Sequence, residues 1–325
     1  MIQEFRDEAL DEFFKYEDPK RFVNQTCNCK KPYYVRFKEP REYKGQLIWG
    51  CQVPCGKCEL CMKRRQREWF IRNYFEFKNS ETAYFITLTY DEEHLPNGVV
   101  KKDCQDFLKR LRKPLGKHRI SYFLVSEYGD QFHRPHYHML LYNYPLKNIE
   151  NVKKSIEEAW QNGLASVGSV TSASINYCTK YCLKAENKNE GASLLPPVFM
   201  LCSRRPALGS SFVQDERNKK YYAVSKSTYR TIDGCKYPLP GYYKHKLFDD
   251  STLEALYLEG LERVECELSD LFTSVGSARD ARKLQREKIE ADCESIRRKQ
   301  ELASMRGNSK ERKFKLNQKP ESKKL

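Results

Sequence analysis

The sequence predicts an α+β fold, a central antiparallel sheet of about five strands with helices on one face. Three observations lead there. Tyr84-Phe85-Ile86-Thr87-Leu88-Thr89-Tyr90 is rich in β-branched and aromatic residues, the composition of a strand. Residues 120–126 and 134–142 are two further apolar runs joined by a polar turn, which reads as a hairpin. Amphipathic helical patterns follow at Asp103 to Lys113 and at Ile149 to Trp160, and strands mixed with such helices pack as layers around one core.

Taken in chain order, residues 1–20 read as a short amphipathic helix, and a cysteine-bearing region runs from Cys27 to Cys61. Residues 60–79 form a strongly basic helix, and the strand at 84–90 ends at the turn Pro96-Asn97-Gly98. Asp103 is placed to N-cap a helix carrying Phe107, Leu108 and Leu111. The hairpin comes next, then the helix 149–160, a short strand at 163–170 and a helix at 174–184. Residues 190–245 hold Gly, Pro and many aromatics and read as loops with short strands. From Ser251 to about Met305 the leucine spacing is helical, with Gly276 as an interruption. Residues 304–325 carry eight Lys/Arg against two Glu and read as a tail that is disordered until it meets a polyanion. The expected divisions are 1–65, 66–245, 246–303 and 304–325.

Composition narrows the function. Among 325 residues, charged side chains make up 32% and the formal net charge is +15, which points to a nucleic-acid partner. Aromatics at 13%, including 21 tyrosines, suit stacking on single-stranded bases. No stretch has the length and apolarity of a membrane span, and the acidic N-terminus lacks a signal-peptide pattern. The 13 cysteines are therefore expected as reduced cytosolic thiols, some binding metal.

The chemistry starts at Arg134-Pro135-His136-Tyr137-His138. In a strand, His136 and His138 point to one face and Tyr137 to the other. Glu127, nine residues before His136, comes onto the neighbouring strand if the hairpin is tight. Two imidazoles and a carboxylate, with positions left open, suit a divalent cation that also holds a phosphate, Mg²⁺ or Mn²⁺. His133 and Asp130 are alternatives expected in the turn. On the helix beyond, Tyr177 and Tyr181 lie four residues apart on one face, with Lys180 beside them. Unperturbed tyrosine has a pKa near 10, so a phenol needs a neighbouring cation to act as a nucleophile at neutral pH. The same spacing also fits two tyrosines packed in a core.

Cys55-x-x-Cys58-x-x-Cys61 places three thiols in seven residues, and four thiolates make a closed structural zinc site. Cys55 and Cys58 anchor it, with Cys61 beside them and one of Cys27 or Cys29 completing it. The basic run Lys63, Arg64, Arg65, Arg67 and Arg72 is placed to lie along a DNA backbone. Lys109, Arg110 and Arg134 extend that basic set. A solvated basic face fits the same pattern.

Three segments in order carry a resemblance: Phe85-Ile86-Thr87-Leu88-Thr89-Tyr90, Arg134-Pro135-His136-Tyr137-His138 and Tyr177-Cys178-Thr179-Lys180-Tyr181. They resemble the three rolling-circle motifs of the HUH endonucleases. The chain as a whole resembles the replication initiation proteins of the gokushovirus-type microviruses. Pro54-Cys55-Gly56-Lys57-Cys58 leading to Arg65 and Trp69, Ser126-Glu127-Tyr128-Gly129, and Ser203-Arg204-Arg205-Pro206 add to the likeness, which spans roughly residues 50–210. Tyr137 stands where the family motif has an aliphatic residue.

The resemblance implies an HUH endonuclease domain over 66–245 and a DNA nickase and strand transferase. His136, His138 and Glu127 would hold the cation against the scissile phosphate. One tyrosine would attack and leave a 5′-phosphotyrosine, and the second would cut the regenerated origin. It also implies single-stranded or supercoiled phage origin DNA as partner, with host DNA polymerase and helicase, in the host bacterial cytoplasm. No G-x-x-x-x-G-K-[ST] loop is present for an unwinding ATPase. The rival readings are a plasmid initiator or transposase of the same type, a non-catalytic zinc-stabilised nucleic-acid-binding protein, and a metal-dependent hydrolase using water.

Overall fold

The computed structural model describes residues 29–43, 45–129, 133–180, 195–275 and 277–316. The helix expected over 1–20, Cys27, Asp130, Tyr181, Gly276 and residues 317–325 lie outside the described residues. The elements begin with β1 (Tyr33–Tyr43), β2 (Gln46–Val53), α1 (Glu59–Lys78), β3 (Ala83–Tyr90) and α2 (Lys101–Arg112). Then come β4 (Ser121–Tyr128), β5 (Pro135–Tyr142), α3 (Ile149–Trp160), β6 (Gly163–Ser169), α4 (Ser172–Lys180) and β7 (Met200–Cys202). The chain continues through α5 (Ser210–Gln214), α6 (Glu216–Ser225), β8 (Tyr229–Ile232), β9 (Cys235–Pro238), α7 (Gly241–Leu247), α8 (Asp250–Val275) and α9 (Ala278–Leu316).

These elements divide into two compact units, one of residues 1–61 with 254–299, the other of residues 62–253 with 300–325. In the first, β1 and β2 form an antiparallel hairpin with an irregularity between Arg36 and Arg41. An ion pair joins Lys30 to Glu290 at 3.0 Å, another joins Arg297 to Glu59 at 2.6 Å, and Cys293 is buried. The hairpin was not expected, because its outward residues, Val35, Leu47 and Trp49, do not give a clean apolar–polar alternation.

The second unit is built on a five-stranded sheet in the order β6-β3-β5-β4-β7, with every neighbouring pair antiparallel. Alternation along β3 buries Tyr84, Ile86, Leu88 and Tyr90 on one face. Against them pack Phe107, Leu108 and Leu111 of α2 and Val152, Ile156 and Trp160 of α3. Each large apolar side chain so buried contributes about 1.5–3 kcal/mol over its exposed state. Gly163 opens β6 at a φ of +143°, where a Cβ would strike the Tyr90 and Asp91 backbone, so only glycine fits there.

The expectation of helices on one face is corrected: the opposite face is covered too. There Trp69 of α1 packs on Phe123 with ring centroids 5.3 Å apart, and the Tyr142 hydroxyl donates to Asn73 Oδ1 at 3.0 Å. The charges of α1 hide an inward stripe of Phe70, Ile71 and Tyr74, which the basic composition conceals. Two other expectations shift. Asp103 is not an N-cap: the cap position is Val100, and the Asp103 carboxylate instead accepts from the Tyr90 hydroxyl at 2.7 Å. The stretch 190–245 holds three short helices besides its strands, and α9 takes in residues 304–316 of the segment expected to be disordered. Glu, Lys, Arg, Met and Leu in that segment are all good helix formers.

Candidate active site

Register brings the sequence-predicted ligands together. Glu127 of β4 lies opposite His136 of β5, and His138 lies opposite Thr87 of β3. Glu127 Oε2 is 3.3 Å from His136 Nε2 and 3.2 Å from His138 Nε2. One ligand atom from each of the three lies within 4.8 Å of the others. Glu127 and His138 are only 7% and 6% exposed. Tyr137, between the histidines, is fully buried on the other face, where its hydroxyl meets the Tyr90 hydroxyl at 2.9 Å and accepts from Val100 N–H at 2.8 Å. His133 sits in the turn at a φ of +48°, away from the ligand strand positions.

The outer nitrogens of the two rings are oriented from behind. His138 Nδ1–H donates to Thr87 Oγ1 at 3.0 Å, and His136 Nδ1–H to the Arg134 carbonyl at 3.2 Å. In that tautomer each Nε2 offers its lone pair towards Glu127, the arrangement that metal-ligating histidines adopt. Burial, with the neighbouring His136, pushes the His138 pKa below its ordinary value against the pull of Glu127, so its imidazole is neutral at pH 7. Burying a carboxylate costs several kcal/mol unless a cation offsets it. Two imidazoles and one carboxylate fit a divalent cation that keeps positions for other oxygens.

Above these ligands lies α4. Its start is fixed by a reciprocal cap, with Ser174 N–H donating to Thr171 Oγ1 at 3.2 Å and Thr171 N–H to Ser174 Oγ at 2.7 Å. Ile175, Cys178 and Thr179 are buried under it, while Tyr177 is 41% exposed. The Tyr177 hydroxyl is 3.4 Å from His138 Nε2. Its ring stands edge-on to His138 at 5.1 Å and to Phe85 at 6.1 Å, and Phe85 stacks on His138 at 5.7 Å. Lys180, half-buried, ends the helix one turn beyond Tyr177. Tyr181 lies outside the described residues. Thr87 and Phe85 were not singled out as site residues. Strand parity puts them on the correct face, but only register shows which histidine they touch.

Four thiols form a separate cluster in the other unit: Cys29, Cys55, Cys58 and Cys61. Their sulfurs are 3.8 Å apart for Cys29–Cys58, 3.9 Å for Cys55–Cys61 and 3.7 Å for Cys29–Cys61. A tetrahedron with zinc–sulfur bonds of about 2.3 Å has edges of about 3.8 Å. The fourth member is therefore Cys29, and Cys27 lies outside the described residues. Burial pushes the Cys55 thiol up, but the Lys57 and Cys58 amides donating to its sulfur outweigh this and bring it down to about 7. Such amide-to-sulfur bonds favour the thiolate that a metal takes.

The basic residues separate into two sets. Arg64 and Arg67 are exposed on α1, and Arg65 is half-buried there. Lys63 reaches Gln66 at 2.9 Å, Lys109 pairs with Asp106 at 3.1 Å, and Arg134 binds Glu92 and the Tyr90 carbonyl. Arg72 and Arg110 are occupied internally. Arg72 lies over the rings of Trp69 and Tyr242 and donates to the Leu208 carbonyl, and Arg110 donates to the Ala159 and Trp160 carbonyls at the end of α3. The expectation that these two lie along DNA is not met in this arrangement, because backbone carbonyls and rings already take their guanidinium groups.

Residues 83–186, from β3 past Tyr177, match the family of replication-associated proteins described by ORF2 and the gene II protein. Over 252 residues the chain is 31% identical to the replication-associated protein ORF2 of Spiroplasma virus 4, covering 69% of this chain and 78% of that one. It is 30% identical over 213 residues to the replication-associated protein VP4 of Bdellovibrio phage phiMH2K, covering 59% and 66%. It is 28% identical over 291 residues to the replication-associated protein ORF4 of Chlamydia phage 1, covering 78% and 67%. Among solved structures, the nuclease domain of minute virus of mice non-structural protein 1 is similar at 14% identity over 76% of this chain and 100% of that one. Its TM-score is 0.16, too low to bear on the fold.

Proposed function

This chain belongs to the replication-associated proteins of the microvirus phages, and from that premise we propose that it initiates rolling-circle replication as an HUH-type DNA nickase. The observation that carries the proposal is the Tyr177 hydroxyl 3.4 Å from His138 Nε2, beside the Glu127 carboxylate. A nucleophile at that spot meets a phosphate held by the same three ligands.

His136, His138 and Glu127 would hold the divalent cation. Mn²⁺ suits the mixed nitrogen and oxygen set, and Mg²⁺ suits its oxygen share. Once bound, the cation polarises the scissile phosphate and neutralises charge on its oxygens. Tyr177 Oη attacks phosphorus, the bond to the 3′-oxygen breaks, and that oxygen leaves as a free 3′-OH. The phenol gives up its proton to solvent as Oη bonds to phosphorus, and the departing 3′-oxygen takes one up. Lys180, three residues on, lends positive charge to the phenolic oxygen as it loses that proton. The 5′-phosphate stays on the tyrosine, so the bond energy is kept and a later 3′-OH rejoins the strand without ATP. Tyr181, four residues from Tyr177, is the second nucleophile for the regenerated origin.

Lys63, Arg64, Arg65, Arg67, Lys109 and Arg134 are the DNA-backbone contacts in this reading. Zinc at Cys29, Cys55, Cys58 and Cys61 is structural. The partners are phage origin DNA and the host polymerase and helicase, in the bacterial cytoplasm. None of the described helices is long and apolar enough to cross a membrane.

The test is incubation of the protein with single-stranded phage DNA and Mn²⁺, followed by denaturing electrophoresis. A covalent protein–DNA band, absent from the double variant Tyr177→Phe/Tyr181→Phe, supports the nickase. Cleavage without that band overturns it in favour of a water-using hydrolase.

A further inference from the structure

Ser203-Arg204-Arg205-Pro206 takes no part in the nicking chemistry, yet it lines a large charged concavity of its unit. This groove of about 1450 Å³ runs beside β7, the outer strand of the sheet. Glu127, His136, His138 and Tyr177 do not line it. Arg112, Arg119, Arg204, Arg205, Lys101 and Lys246 do, and all six are exposed. Among the described residues lining it there is no Asp or Glu. The chain has 44 acidic residues to 59 basic ones, so a wall of one sign is not the average surface. Six like charges without carboxylates repel one another until an anion lies among them.

The rings at the groove separate the forms of nucleic acid. Arg112 lies over Tyr122 at 5.0 Å, and Arg72 over Tyr242 at 4.8 Å. Single strands are held chiefly by bases stacked on open aromatic faces. Here the guanidinium groups already cover those faces. What the groove offers is a line of exposed cations, the contact made to phosphates along a duplex.

We propose that this groove is a second DNA-contact site that holds the phosphate backbone of duplex DNA, apart from the centre that nicks. The choice of DNA among polyanions rests on the reading of the chain as a DNA nickase. Ser203-Arg204-Arg205-Pro206 supplies two of the contacts from the turn after β7.

The test is binding of the full chain to a random-sequence DNA duplex, followed by fluorescence anisotropy across a salt series. Arg204→Glu/Arg205→Glu should weaken duplex binding at least tenfold. It should also flatten the slope of log K against log salt by about 2, since each phosphate contact contributes roughly 0.9. Arg204→Lys/Arg205→Lys should bind within a few-fold of the parent, and a short single-stranded oligonucleotide should bind both variants nearly as well as the parent. Unchanged duplex affinity and slope overturn the proposal. So does an equal loss for the single strand, or a lysine pair as weak as the glutamate pair. No cleavage is read, so failure of the nicking reading shows in the covalent-adduct assay and not here.

Discussion

Glu127 stands directly across from His136 in the β4–β5 register, and its Oε2 reaches both His136 and His138. A carboxylate on one strand and two imidazoles on the next therefore converge without any loop having to position them. Rigid strands hold such a constellation more tightly than loops do.

Removing the carboxylate should empty this site of its cation. Glu127→Ala is expected to weaken Mn²⁺ binding by at least about 100-fold, the upper range for loss of a mere supporting contact. Titration followed by the electron-spin signal of free Mn²⁺ reads this directly. Mn²⁺ affinity equal to that of the parent would show that Glu127 is not a ligand.

Thr87 is a positioning residue, fixing the His138 ring through Nδ1 at 3.0 Å. Thr87→Val keeps the side-chain shape and removes the acceptor. It should cost about 10–100-fold in Mn²⁺ affinity while the thermal midpoint stays close to that of the parent. A drop in the midpoint with unchanged metal affinity would make the threonine a packing residue only.

Tyr137 departs from the aliphatic residue of the motif, and the core explains why it fits. Its hydroxyl satisfies Val100 N–H at 2.8 Å and meets the Tyr90 hydroxyl at 2.9 Å. Tyr137→Phe leaves that amide without its acceptor and should destabilise the protein by about 1–3 kcal/mol. Chemical denaturation measures the loss, and adduct formation under native conditions should persist. Undiminished stability would contradict this account of the hydroxyl.

The four-sulfur cluster predicts one tightly held zinc per chain. Cys29→Ser should lower the zinc content measured by atomic absorption and speed amide exchange in the β1–β2 hairpin. Cys202→Ser, which alters a thiol outside the cluster, should leave zinc content unchanged. Equal zinc in the Cys29 variant would remove that residue from the site.

Much of this was legible in the sequence because it obeys simple periods. The alternation of 84–90 gave a strand and its buried face, and the nine-residue spacing of Glu127 and His136 gave their pairing across a tight hairpin. Ile149 to Trp160 formed the helix its apolar spacing required. What escaped had no period to show. The α1 helix reads as a basic surface, yet Phe70, Ile71 and Tyr74 pack inward. Arg72 and Arg110 look like DNA contacts by composition, but only coordinates show their guanidinium groups held by carbonyls and rings. The short helices after Gly209 and Pro240 hide among turn-forming residues. Cys29 could be chosen over Cys27 only by distance.

The most direct test of the account is to locate the DNA on the protein. The covalent complex formed with single-stranded phage DNA and Mn²⁺ is treated with nuclease, then trypsin, and the peptides are read by mass spectrometry. Trypsin cuts after Lys154 and Lys180, so Tyr177 is the only tyrosine of its peptide and Tyr181 falls in the next. The account predicts a nucleotide joined through its 5′-phosphate to Tyr177, or to Tyr181 in the alternate round. Attachment to any other residue, or a nicked strand with no attached peptide, would contradict it.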